Sequence, residues 1–198
     1  MALAGSAISQ NAGLIDRFDL WRPAPTMDLE TKWLLLAGAS NPPEDVAISD
    51  RRSRDAERSG TFLRGVAKDL ANIEDAIGSK LYNSVKNLYM TKGEALRHIM
   101  RFFEYCQRGG FKPVLYYTGH GQIGTGNWCF DDGTIGIEEI LGLQPGGRGC
   151  YWPLFICDTC YSGHWSNICL GKAIPDLQCL SACPEFTTAI DDPSKLKK

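Results

Sequence analysis

The sequence predicts an α/β fold with a mostly parallel sheet and helices on both faces. Three observations predict it. Short continuous apolar runs recur at Trp33–Gly38, Val114–Thr118 and Trp152–Cys157, as strands buried on both faces require. Segments of helical period lie between them. Gly, Pro and Asn punctuate the junctions. Strands that alternate with helices build parallel sheets.

Residues 1–28 read as a poorly ordered N-terminal tail, with Gly5, Ser6, Pro23 and Pro25 and little periodicity. Residues 29–191 read as one domain and 192–198 as a C-terminal tail. Trp33-Leu34-Leu35-Leu36-Ala37-Gly38 is the first strand, closed by Asn41-Pro42-Pro43. Across 50–72, Ala56, Phe62, Leu63, Val66, Ala67 and Leu70 recur at roughly helical spacing, interrupted by Gly60 and Gly65. Val85–Met90 is read as a second strand. Thr91-Lys92-Gly93-Glu94 matches a capping box. Behind it Leu96, Ile99, Met100, Phe103 and Cys106 keep a 3.6-residue period, until Gly109-Gly110 stops the helix. Val114–Thr118 is a strand running into Gly119-His120-Gly121. Asn127–Phe130 with Asp131-Asp132-Gly133 reads as a hairpin. Ile137–Leu141 is a short helix, and Pro145-Gly146-Gly147 a loop. Trp152–Cys157 is a further strand, and Leu177–Ala182 a last one.

Composition narrows the function. The chain has 198 residues, enough for one domain with a sizeable core. The formal net charge is −2, which gives nucleic-acid binding no global support. No apolar run approaches 18 residues, so no membrane span is expected. MALAGSAISQ lacks the basic start and apolar core of a signal peptide. Eight cysteines, about 4% of the chain, fall short of a disulfide scaffold. Free thiols and a cytoplasmic location are expected.

Two apolar strands end in a reactive residue flanked by glycine: His120 and, about 40 residues on, Cys160. Neighbouring parallel strands would carry both side chains to one sheet edge, where ligand sites form. A thiol is a nucleophile as thiolate, and a nearby imidazole supplies that state. Backbone N–H groups of Gly121 and Cys160 are candidates to face a developing oxyanion.

Tyr116-Tyr117-Thr118-Gly119-His120-Gly121 resembles the strand–Ser/Thr-Gly-His-Gly segment of caspase-like cysteine peptidases. Asp158-Thr159-Cys160-Tyr161-Ser162-Gly163 resembles the Asp-x-Cys-His-Ser-Gly nucleophile segment of the metacaspase branch. It is less similar to the Gln-Ala-Cys-x-Gly of true caspases. Leu180-Ser181-Ala182-Cys183 resembles the strand that opens the family's small-subunit portion. The resemblance implies a caspase-hemoglobinase fold and cofactor-free hydrolysis of protein or peptide substrates. His120 would be the general acid/base and Cys160 the nucleophile that forms an acyl-enzyme thioester. Asp158, two residues before the nucleophile, would line the primary pocket and select Arg or Lys. Asp55, in Arg54-Asp55-Ala56, would be a second acidic pocket residue. Members of the family act in cell death, stress or immune signalling. Two features depart from the pattern. Tyr161 stands where metacaspases carry His, and 38 residues follow Cys160 where the family's small portion is longer. The departures leave a second reading, a weak or inactive scaffold or regulatory domain. They also motivate self-association or pairing with a missing C-terminal segment.

Other residues carry two readings each. Cys157-x-x-Cys160 is either a core residue beside the nucleophile or half of a zinc or redox site. A zinc site lacks its second pair, and His164 is the only histidine close in sequence. Asp131-Asp132 is either turn chemistry or a calcium ligand pair without EF-hand spacing. His98 reads as a surface or boundary residue of the helix behind the capping box. No metal or other cofactor is expected.

Overall fold

A computed structural model describes residues 30–38, 65–87, 89–146, 151–172, 174 and 176–186. The expected tails at 1–28 and 192–198 lie outside these residues, as does the 50–64 part of the first helical stretch. Seven strands and four α-helices are present among the described residues. They run β1 (Thr31–Gly38), α1 (Val66–Ile77), β2 (Leu81–Val85), α2 (Lys92–Gly109), β3 (Lys112–Gly119), β4 (Trp128–Phe130), β5 (Gly133–Ile135), α3 (Ile137–Leu141), β6 (Leu154–Thr159), α4 (Gly163–Lys172) and β7 (Gln178–Ser181).

Five strands form one parallel sheet in the order β2-β1-β3-β6-β7. β4 and β5 pair separately as an antiparallel hairpin. The sheet has helices on both faces, as the apolar runs predict. Leu35, Ala37 and Tyr116 turn to one face and meet Val66 and Leu70 of α1. Leu34, Leu36, Leu115, Tyr117, Phe155 and Cys157 turn to the other. There they pack with Ile99, Phe102 and Phe103 of α2, Ile137 and Ile140 of α3, and Trp165 and Cys169 of α4. β1 and β3 are central strands with both faces covered, so their sequences show no polar alternation.

The capping box forms as read. Thr91 Oγ1 accepts the Glu94 amide at 3.2 Å, and Glu94 Oε2 accepts the Thr91 amide at 2.9 Å. Gly110 closes α2 in the left-handed region (φ 66°), where a Cβ would be strained. Two expectations are corrected. The strand read at Val85–Met90 is Leu81–Val85, in register with Trp33–Leu36 of β1. Lys86-Asn87 breaks the apolar run: Asn87 Oδ1 accepts the Tyr89 amide and its carbonyl accepts the Met90 amide, closing a turn. The first helix also runs on to Ile77. Helix α4 is an addition that sequence periodicity does not reveal.

Among the described residues, no helix is long and apolar enough to cross a membrane.

Candidate active site

The site is set by register. β3 and β6 are neighbours, with Thr118 opposite Asp158 and Gly119 opposite Thr159. His120 and Cys160 each follow by one residue, so the two chains leave the sheet side by side at its carboxyl edge. Gly38 of β1 lies opposite Gly119, completing that edge. Both His120 and Cys160 are partly exposed.

His120 is held by its backbone. Its amide donates to the Gly38 carbonyl at 3.0 Å, and its carbonyl accepts the Cys129 amide at 3.1 Å. The Tyr117 hydroxyl lies against the same carbonyl. Burial pushes the Tyr117 phenol well above its ordinary value, so it stays a neutral hydrogen-bonding group. Beyond His120 the loop 121–127 is tied by Gln122. Its amide donates to the Asn127 carbonyl at 2.9 Å, and its Oε1 accepts from Thr125 Oγ1 at 2.9 Å and Asn127 Nδ2 at 3.1 Å.

Gly121 meets the backbone of Cys160. A Cβ built there would lie 2.0 Å from the Cys160 carbonyl oxygen and 2.5 Å from Thr159 Oγ1. Only glycine permits that approach. The structure therefore brings together Gly121 and Cys160, the two backbone positions expected to face an oxyanion. Gly121 pairs with Trp128 in an isolated bridge, flanked by the His120–Cys129 and Gln122–Asn127 bonds.

The turn after Cys160 is clamped from β7's end. Tyr161 takes a left-handed conformation (φ 58°), sparsely populated by non-glycine residues. Buried Ser162 follows: its Oγ accepts the Cys183 amide at 3.3 Å, and its carbonyl accepts Ser181 Oγ at 2.9 Å. The Cys183 thiol donates to the Thr159 carbonyl at 3.3 Å. Helix α4 starts immediately afterwards, and a helix N-terminus favours negative charge nearby. Beneath the site, Tyr117, Trp128 and Trp165 stack in one column. Adjacent ring centroids are 4.8 and 4.7 Å apart, and Phe155 stands edge-on to both tryptophans. The column joins β3, the hairpin and α4, the elements that carry both ends of the site.

Asp158 points to the α1 face, one residue out of phase with buried Cys157 and Thr159. Its Oδ2 accepts the Tyr116 hydroxyl at 3.1 Å. Burial first, then the Asp158 charge and bond, raise the Tyr116 phenol, and the charge of Asp69 on α1 adds to this. Asp69 is thus a second carboxylate on this side that sequence reasoning did not identify. Its spacing on α1 resembles any solvated helix face, so no sequence signal marks it. Asp55 lies outside the described residues.

The other candidates have structural partners. Asp132 Oδ1 accepts the Lys92 amide and so caps the first turn of α2. Cys157 is a core residue. His164 Nδ1 pairs with Glu185 Oε1 at 2.9 Å. His98 is partly buried on α2, and burial lowers its imidazole. Among the described residues, no group of three or more His, Cys, Asp or Glu side chains is arranged to hold a metal ion.

Compared with known proteins, the chain matches no family model and no curated sequence.

Proposed function

We propose that the chain is a caspase-like cysteine endopeptidase, nearer to metacaspases than to true caspases in its nucleophile segment. The observation that carries this reading is the matched exit of His120 and Cys160 from neighbouring parallel strands, with Gly121 packed on the Cys160 carbonyl. The proposed chemistry follows from those positions. His120 takes the Cys160 proton, and the thiolate attacks the scissile carbonyl carbon. Charge on the carbonyl oxygen develops toward the backbone amides of Gly121 and Cys160. The imidazolium then protonates the leaving amine, and a thioester remains on Cys160. Water, deprotonated by His120, hydrolyses it and restores the thiol. No cofactor enters this sequence. Asp158 favours Arg or Lys before the scissile bond, and the chain acts on protein substrates in the reducing cytoplasm.

A peptide-library cleavage profile tests the proposal. Wild-type chain should cleave. Cys160→Ala and His120→Ala should each abolish turnover while the folded circular-dichroism signal persists. Their effects should not add, because the two groups work as a unit. Wild-type turnover in Cys160→Ala would overturn the assignment. A folded wild-type chain that cleaves nothing, with Cys160 labelled by a thiol-reactive probe no faster than other cysteines, would favour the scaffold.

A further inference from the structure

Helix α4 and strand β7 meet through matched polar faces. Ser166 and Cys169 are three residues apart and share one side of the helix. Cys179 and Ser181 are two apart and share one side of the strand. Ser166 Oγ donates to the Cys179 carbonyl at 3.2 Å and is hydrogen-bonded to Ser181 Oγ. α4 packs along β7, so Cys169, one turn beyond Ser166 on the same side, faces Cys179 within the same core cluster. Cys157 of β6 closes the group, its Sγ 3.8 Å from that of Cys179. Three sulfurs from three elements therefore converge, and the partly exposed Cys179 sits at their centre on the last strand of the sheet.

Donors favour one thiolate among the three. Hydrogen bonds from Cys157 and Cys169, with help from Ser166 and Ser181, push the Cys179 thiol down against its burial. Burial and then the Cys179 neighbour push Cys157 up, and the Cys179 neighbour and then burial push Cys169 up. The thiolate is the form that oxidants attack.

We infer that Cys169 and Cys179 form a peroxide-reactive dithiol, which closes to a disulfide that staples α4 to β7. The Cys179 sulfur attacks one oxygen of hydrogen peroxide. The O–O bond breaks, the sulfur is oxidised to sulfenic acid, and the departing hydroxide takes a proton to become water. Cys169 sulfur then attacks the sulfenyl sulfur. The S–O bond breaks, and the hydroxyl leaves as water with the Cys169 proton. Two thiols and one peroxide become one disulfide and two waters.

Cys157 is the wrong partner despite its proximity. Cys157 is registered with Ser181, so Cys179 lies two residues back on the neighbouring strand. Strand spacing of about 4.8 Å and a rise of about 3.3 Å per residue put those α-carbons about 8 Å apart. A disulfide spans at most about 7 Å, and the ladder fixes both strands. Cys169 lies on α4, outside the ladder, so strand register does not hold it at that distance from Cys179.

Neither thiol belongs to the His120–Cys160 pair, so the cross-link forms or fails whether or not the chain cleaves peptides. Reduced full chain is exposed to a small excess of hydrogen peroxide, alkylated, digested without reductant and mapped by mass spectrometry. The expected product is a cross-linked peptide pair holding Cys169 and Cys179, with a melting temperature above that of reduced protein. In Cys169→Ser the sulfenic acid should persist, and dimedone should label Cys179. Three results overturn the inference: both thiols still reduced at doses that oxidise Cys160, a Cys157–Cys179 product instead, or dimedone absent from Cys179 in Cys169→Ser.

Discussion

The Tyr117 hydroxyl stands 2.9 Å from the His120 carbonyl oxygen and 2.8 Å from that of Cys129, and accepts the Cys129 amide at 3.0 Å. One fully buried oxygen thus fastens the residue that follows β3 to the hairpin beside it. Tyr117→Phe keeps the ring stack and removes the fastening. A buried amide and carbonyls then lose a partner, at about 1–3 kcal/mol of stability. Turnover should fall with little change in KM, because His120 loses one of its three backbone anchors rather than a substrate contact. Steady-state kinetics beside denaturant unfolding reads both. A stability loss with unchanged kcat would leave Tyr117 a packing residue only.

Gly121→Ala should cost activity more than stability. The new methyl would lie 2.0 Å from the Cys160 carbonyl oxygen, so one backbone must move. Loss of an aligned oxyanion donor lowers kcat by roughly a hundredfold or more. Turnover of a good substrate, with the melting temperature as control, measures this. Near-wild-type kcat would remove Gly121 from the oxyanion site.

Asp158→Asn keeps the acceptor for Tyr116 and removes the charge. Two unit charges 4 Å apart attract by about 1 kcal/mol in water and about 4 kcal/mol at an effective dielectric of 20. Selectivity for Arg over a neutral residue should therefore drop by about fivefold or more, tenfold being about 1.4 kcal/mol. The wild-type preference should weaken with salt. Competition between paired peptides reports the ratio. Efficient cleavage after Asp by the unmodified chain would reverse the assignment.

Thr91→Ala is the stability control. It removes the acceptor for the Glu94 amide at the start of α2, where the Thr91 hydroxyl bonds Glu94 rather than a residue of the site. The melting temperature should fall by about 2–4 °C with kcat unchanged. The Thr91 amide and hydroxyl hold the Glu94 carboxyl below its ordinary value. That contribution is present above the unfolded carboxylate value and fades as pH falls through the folded one. The gap between wild type and variant should narrow in acid, which thermal unfolding across pH 3 to 7 would follow.

β1, β3 and β6 were readable because strands covered on both faces leave continuous apolar runs in the chain. The α2 cap was readable because Thr91 and Glu94 act through local hydrogen bonds alone. α4 was not: Ile168, Cys169 and Leu170 are consecutive apolar residues, yet Cys169 is buried and Leu170 is 80% exposed. Such a run shows no helical stripe. β2 was displaced by four residues because Val85, Tyr89 and Met90 are as apolar as a strand, and only pairing with β1 decides the matter. At the site, glycine-flanked strand ends marked His120 and Cys160. Tyr117 read as another core aromatic, since its role lies in which carbonyl its oxygen reaches. The Asp158–Tyr116 bond and the Cys169–Cys179 seam depend on strand register and helix docking, which no local pattern encodes.

The stacked indoles of Trp128 and Trp165 also make the site optically visible. Rings held face to face at 4.7 Å couple their electronic transitions, so each absorbs as part of a pair rather than alone. One indole belongs to the hairpin tied to His120 and the other to the helix that begins after Cys160. A bisignate far-ultraviolet dichroism band therefore reports, without any added label, whether the two halves of the site are seated together. Its amplitude should collapse when either half lifts away, before the sheet itself unfolds.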